Sequence, residues 1–207
     1  MRPLLIAFDL DDTLITEQDY ILAAFEEIDA QGLCEFNTIK NYTNAYSAIE
    51  EQIPTESREK AVAIYRSGEF DIKPVDGVKE VLSGLRERGV KLALVTDGWS
   101  KRQRAKLARS GLSDFFEYIY ISEENDNQQK LTGRPFAIIN ALYPDCEKIY
   151  VGDNPAKDFI KAREAGWKTI MVRNPEIRYV HPDKIPGDEY APDLELSSIK
   201  QILNQQF

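Results

Sequence analysis

The sequence predicts an α/β fold: a Rossmann-like parallel sheet flanked by helices, with a helical cap domain inserted after the first strand. Three observations predict it. Short apolar runs recur along the chain, each ends at a polar cluster or a turn, and amphipathic patterns of about ten residues separate them.

The first run, Leu4 to Phe8, leads into Asp9, Asp11 and Asp12 and reads as a buried strand whose carboxyl end meets a polar edge. The stretch from Glu17 to Lys73 breaks the alternation. It has room for several helices where a crossover needs one, shows helical periodicity at Tyr20 to Ile28 and Ser57 to Tyr65, and has no clear strand. Residues 17–73 are therefore read as the cap, and 1–16 with 74–207 as the core, the chain returning at Pro74-Val75-Asp76-Gly77. A helical insertion beside an acidic cluster can exclude water and choose substrate; a purely structural extension is the alternative. The cap aromatics Tyr20, Phe25, Tyr42, Tyr46 and Tyr65 fill a small core or line a pocket, core filling being favoured.

After the cap, strands are expected at Val90 to Val95, Tyr118 to Ile121, Lys148 to Val151 and Thr169 to Val172. Helices are expected at Val78 to Arg88, Lys101 to Ser110, Phe136 to Leu142 and Ala156 to Ala165. The tail reads as turn-rich from Pro182 to Pro192, then as a short helix from Leu194 to Leu203. In parallel sheets, ligands lie outside the carboxyl ends of the strands, where the polar clusters gather.

The chain has 207 residues, enough for one domain with a modest insertion. Its 35 acidic and 26 basic residues give a net charge of -9, a field that repels nucleic-acid backbones and anionic lipid. The basic run Lys101-Arg102-Gln103-Arg104 reads as the solvated first turns of a helix. No apolar run approaches the roughly 20 residues that span a bilayer. Cys34 and Cys146 lie far apart and the start shows no signal-peptide pattern, so free thiols and a cytoplasmic location are expected. One histidine, His181, read as a surface turn residue, leaves little room for His-rich zinc sites or histidine triads. Carboxylates must carry the chemistry.

Asp9 and Asp11 are one residue apart where the first strand ends, with Leu10 and Leu14 placed to anchor the loop. Two close carboxylates are costly unless a cation neutralises them or one takes a proton. Either solution suits phosphoryl transfer, with one aspartate as nucleophile and the other as acid and base; an acidic loop that caps a helix is the plainer reading. Asp153, ending another strand, can share a magnesium ion with Asp9, since that ion takes oxygen ligands. Asp158 can hold a ligand water or a lysine, or sit at a helix N-terminus. Thr96 offers a hydroxyl, and Asp97 and Gly98 offer backbone N–H groups, to phosphate oxygens. Lys130 is a candidate phosphate clamp and charge partner for the aspartates.

Together and in this order, these clusters resemble the haloacid dehalogenase-like hydrolase superfamily. Phe8-Asp9-Leu10-Asp11-Asp12-Thr13-Leu14 matches its first signature, Val95-Thr96-Asp97-Gly98 its second, and Tyr150-Val151-Gly152-Asp153-Asn154-Pro155 with Asp158 its fourth. The third is looser: Lys130-Leu131 stands where Lys-Pro is usual, the spacing to Arg134-Pro135-Phe136 favours Lys130, and Arg134 is its rival. The cap's placement is similar to the small helical cap subclass. The resemblance implies a magnesium-dependent phosphatase in which Asp9 attacks phosphorus and Asp11 acts as acid and base. Asp9, the Asp11 backbone carbonyl and Asp153 would hold the metal, Thr96 and Lys130 would bind phosphate, and Asp158 would support them. The partner implied is a small phosphorylated metabolite, not nucleic acid or a membrane. A sugar phosphomutase or a non-enzymatic phosphate-ligand-binding domain could share these residues, while Asp11 and Asp153 argue against halide removal.

Overall fold

The computed structural model describes residues 2–67, 69–175, 177–180 and 184–206. His181 and Pro182, with the readings made of them, lie outside the described residues. Strand β1 (Leu4–Phe8) is followed by four helices, α1 (Glu17–Ala30), α2 (Phe36–Ile39), α3 (Ala45–Gln52) and α4 (Thr55–Ser67). The chain then alternates through α5 (Val78–Glu87), β2 (Lys91–Thr96), α6 (Ser100–Ser110), β3 (Tyr118–Ile121), α7 (Arg134–Leu142), β4 (Glu147–Gly152), α8 (Ile160–Glu164) and β5 (Lys168–Val172), and adds a short β6 (Leu194–Leu196).

The six strands form one parallel sheet in the order β3-β2-β1-β4-β5-β6. Both faces are covered, so β1 is apolar at every position. Ile6 and Phe8 point into a core shared with α5, α6 and the helices α1 to α4, whereas Leu5 and Ala7 face Phe136, Ile139 and Phe159. Strand order reverses at β1, which pairs with β2 on one side and β4 on the other. A crevice at the carboxyl end of β1 follows from that reversal. The entry to and exit from the four-helix segment are tied together, because Ile15 bridges Pro74 and Val75 N–H donates to the Leu14 carbonyl at 2.9 Å.

Two expected helices differ. Residues Leu194 to Leu203 begin as β6 and continue as a 3-10 helix, Ile199–Asn204, capped by Ser198. The alternation Leu194, Leu196 suits an edge strand, and the helical periodicity belongs to the part after Ser198. In the other case, Ala156 to Ala165 is α-helical over Ile160–Glu164 alone. The preceding residues turn instead, because Asn154 and Asp158 bind backbone groups within that loop. No helix among the described residues is long and apolar enough to cross a membrane.

Candidate active site

The turn after β1 is built by Leu10 and Leu14, both fully buried. The Leu10 carbonyl accepts from Leu14 N–H at 2.9 Å and Ile15 N–H at 3.1 Å. Asp12 adopts φ 59°, a left-handed conformation that aspartate tolerates better than most residues. Its carboxylate accepts from Glu17 N–H at 2.8 Å, at the start of α1, and from Val180 N–H at 3.3 Å. The acidic cluster thus divides its labour: Asp12 holds the turn, and Asp9 and Asp11 are left for the crevice.

Asp9 continues β1 by donating its N–H to the Val151 carbonyl at 2.8 Å. Its Oδ2 lies 2.9 Å from Lys130 Nζ, and Lys130 also meets Asp158 Oδ1 at 2.5 Å. Lys130 and Asp158 have no exposed surface. The second oxygen of Asp158 accepts from the N–H groups of Asp153 and Asn154, at 3.1 and 2.8 Å. Burial alone would lower the Lys130 ammonium, but Asp158 and then Asp9 hold it well above the ordinary lysine range. Asp158 takes the larger share of that charge and is held low despite its burial. Asp9 keeps the smaller share, and burial pushes its carboxyl up to about 8. Arg134, the rival for this role, is exposed at the start of α7.

Asp153 follows β4 and accepts from Thr13 Oγ1 at 3.2 Å. One ligand atom from each of Asp9, Asp153 and Asp158 lies within 4.8 Å of the others. Because both Asp158 oxygens are committed, Asp9 and Asp153 are the carboxylates of that group suited to a hard cation. The Asp11 carbonyl accepts no hydrogen bond among the described residues, and so completes a set of oxygens that fits magnesium.

The Asp11 carboxylate points elsewhere, to residues of α6 that sequence reasoning missed. Its Oδ1 meets Lys106 Nζ at 2.5 Å and its Oδ2 accepts from Gln103 Nε2 at 2.9 Å. Gln103 also donates to Thr96 Oγ1 at 2.6 Å, joining Asp11 to the end of β2. Burial raises the Asp11 carboxyl, but Lys106, Arg102 and these hydrogen bonds together hold it below its ordinary value. The expectation of solvated first turns for α6 is therefore corrected in part. Gln103 and Lys106 are fully buried and Arg102 is 9% exposed, whereas Lys101 and Arg104 face solvent. The available signal was helical spacing, since Gln103 and Lys106 share a face with Leu107 and Ser110, where apolar residues are expected.

Thr96 ends β2 at the same edge as Asp9 and Asp153, and its hydroxyl proton remains free to donate after Oγ1 accepts from Gln103. Asp97 and Gly98 stand beside it, the Asp97 carboxylate and the Gly98 N–H being engaged within the protein while the Asp97 N–H has no partner among the described residues. Asp97 Oδ1 accepts from Lys130 N–H at 3.1 Å, and Gly98 N–H donates to Ser122 Oγ at 3.0 Å. Of the tryptophans, Trp167 is core, and Trp99 is 45% exposed with the Arg66 guanidinium 4.2 Å from its ring centre.

Comparison with known proteins shows the family to which the chain belongs. The family model described as haloacid dehalogenase-like hydrolase matches residues 6–172. The chain is 33% identical over 150 residues to the glyceraldehyde 3-phosphate phosphatase of Methanopyrus kandleri, covering 70% of this chain and 61% of that protein, less than two thirds of its length. It is 29% identical to the pyrophosphatase PpaX of Halalkalibacterium halodurans, covering 96% of this chain and 94% of that protein. Among solved structures, the magnesium-bound YfnB of Bacillus subtilis superposes with a TM-score of 0.77 at 22% identity, covering 99% of this chain and 98% of the other. With the family model spanning both the turn after β1 and the loop after β4, the chain belongs to the haloacid dehalogenase-like hydrolases.

Proposed function

We propose that this chain is a magnesium-dependent phosphatase that hydrolyses a small phosphomonoester through an aspartyl-phosphate on Asp9, with residues 17–73 as its cap. The observation that carries the reading is the buried triad Asp9, Lys130 and Asp158 beside Asp153 at the carboxyl edge of the sheet. The names of the two curated relatives described above, a phosphatase and a pyrophosphatase, support a hydrolase that transfers phosphoryl groups to water. Asp9, Asp153 and the Asp11 carbonyl would hold magnesium, which when bound supplies positive charge to phosphoryl oxygens and keeps Asp9 ionised.

Asp9 attacks phosphorus, an Asp9–phosphorus bond forms, and the bond from phosphorus to the ester oxygen breaks. Asp11 gives its proton to the departing alkoxide. Water then attacks the same phosphorus, Asp11 takes up a proton from it, and the bond to Asp9 breaks, releasing inorganic phosphate. Lys106 and Gln103 hold Asp11 as a carboxylate, the form the second step needs, and the proton that Asp11 takes from water there is the one it gives to the alkoxide in the next turnover, so that the cycle balances. Thr96 Oγ and Lys130 Nζ present donor and charge where negative charge builds on the phosphoryl oxygens. The two free thiols, Cys34 and Cys146, fit action in the cytoplasm.

The test is phosphate release from a panel of small phosphomonoesters with and without magnesium, comparing the parent with Asp9→Asn and Asp11→Asn. Chelation and Asp9→Asn are each expected to lower release by roughly a thousandfold or more. Equal release from Asp9→Asn would exclude Asp9 as nucleophile.

A further inference from the structure

A cavity of 260 Å³ lies where α1, α3, α4 and α6 meet, and among its walls are Glu17, Asn44, Tyr46, Tyr65 and Arg102. Arg102 is nine-tenths buried there, at 9% exposure. Its Nη1 donates to the Tyr65 hydroxyl at 2.9 Å, and its guanidinium carbon lies 5.2 Å from the Tyr65 ring centre. Its Nε–H has no partner. Guanidinium donors are rigidly forked and are costly to bury without an acceptor. Across the same cavity, the Glu17 carboxylate accepts no hydrogen bond among the described residues, and no ion pair joins it to Arg102. Lys106, the neighbouring cation on α6, is paired with Asp11 at 2.5 Å; burial and the Asp11 charge raise the Glu17 carboxyl, against which Lys106, Arg102 and Lys157 act at longer range.

Two opposite charges that face one cavity without meeting leave a slot for a ligand that carries both complements. The slot adjoins the phosphoryl end of the crevice. Arg102 Nη2 stands 3.3 Å from where a Cβ on Gly98 would lie, two residues beyond Thr96. We propose that Arg102 and Glu17 select, among small phosphomonoesters, those whose other end bears a carboxylate beside a hydrogen-bond donor, that is, phosphorylated 2-hydroxy or 2-amino acids. The carboxylate would satisfy the Arg102 fork, and the neighbouring hydroxyl or ammonium would donate to Glu17. This selection rests on the phosphatase reading above and names the substrate class of the same site.

The test is magnesium-dependent phosphate release from four matched probes. 3-Phosphoglycerate and O-phosphoserine carry the carboxylate; glycerol 3-phosphate and phosphoethanolamine do not. For the parent, kcat/KM for the first two should exceed that for their counterparts by at least about tenfold. Arg102→Met should collapse that ratio towards one, mainly through KM, and Arg102→Lys, which keeps charge without the fork, should restore part of it. Glu17→Gln tests the other end of the slot: a selective loss of phosphoserine turnover identifies Glu17 as the acceptor of the ammonium, and retained turnover of both substrates would remove Glu17 from the selection. Should Arg102→Met not fold by circular dichroism, the parent's ratio across the probes decides alone. Glycerol 3-phosphate turned over as well as 3-phosphoglycerate would overturn the selection and leave the phosphatase reading standing. No phosphate release from these probes or from p-nitrophenyl phosphate would overturn both.

Discussion

Lys130 sits between two carboxylates with no access to water, so its ammonium depends on protein groups, Asp158 and Asp9 foremost and the Tyr150 side chain beside them. Removing one member of a buried pair leaves the other charge uncompensated. Lys130→Met is accordingly expected to cost roughly 3–5 kcal/mol in urea unfolding and to lower phosphate release sharply; unchanged stability would mean that the ammonium is not the partner those carboxylates need. At this scale the sequence was uneven in what it showed. Asp9 and Asp153 were legible because each follows an apolar strand, and geometry then puts them at one edge. Lys106 was not, since a lysine in a helix reads as solvated unless the partner it meets, 95 residues away in the chain, is known. Arg102 and Gln103 were passed over for the same reason: a basic run says nothing of which two members turn inward.

The loop after β4 shows how an element end sets a site. Asp158 folds back over Gly152 so closely that a Cβ there would stand 2.5 Å from Asp158 Oδ2 and 2.8 Å from its carboxyl carbon. Gly152→Ala must therefore push Asp158 off the Asp153 and Asn154 N–H groups and off Lys130. A fall in kcat of roughly tenfold or more is expected, with the fold retained by circular dichroism; parent-like turnover would show that Asp158 need not sit there. The same loop explains the shortness of α8, because residues that would form its first turns are bonded to Asp158 and Asn154. On the other side of the crevice, Arg66 of α4 lies between Trp99, which precedes α6, and Tyr46 of α3. Such an exposed cation–aromatic contact contributes about 0.5–1 kcal/mol. Trp99→Ala is expected to loosen the four-helix segment against the sheet, seen as faster amide exchange in α4 with little change in the melting of the sheet. Unaltered exchange in α4 would show that the contact does not hold the four-helix segment.

For the whole molecule, the parallel sheet was legible because alternating apolar runs and helical patterns leave few other arrangements, and the reversal at β1 fixed which edge would hold the site. The tail was not, since three residues of edge strand carry too little pattern to separate from a helix. The electrostatics of the whole site also make a prediction about stability. Burial raises Asp9 to about 8 and Asp12 to about 7, so between the ordinary carboxylate range and those values the folded chain holds more protons than the unfolded one. Stability must then fall as pH rises through that window, while Asp11 and Asp158, held low, contribute fully throughout it. In chelator, Tm should be lower near about pH 8 than near about pH 6, and magnesium should raise it more at the higher pH; a Tm that rises with pH in chelator would contradict this. Whether Asp9 carries the phosphoryl group is decided by acid-quenching the enzyme during turnover and mapping the modified peptide by mass spectrometry. The added mass of one phosphoryl group is expected on Asp9, absent from Asp9→Asn and lost on incubation at alkaline pH. Steady phosphate release with no such adduct, or with the adduct on another residue, would contradict it.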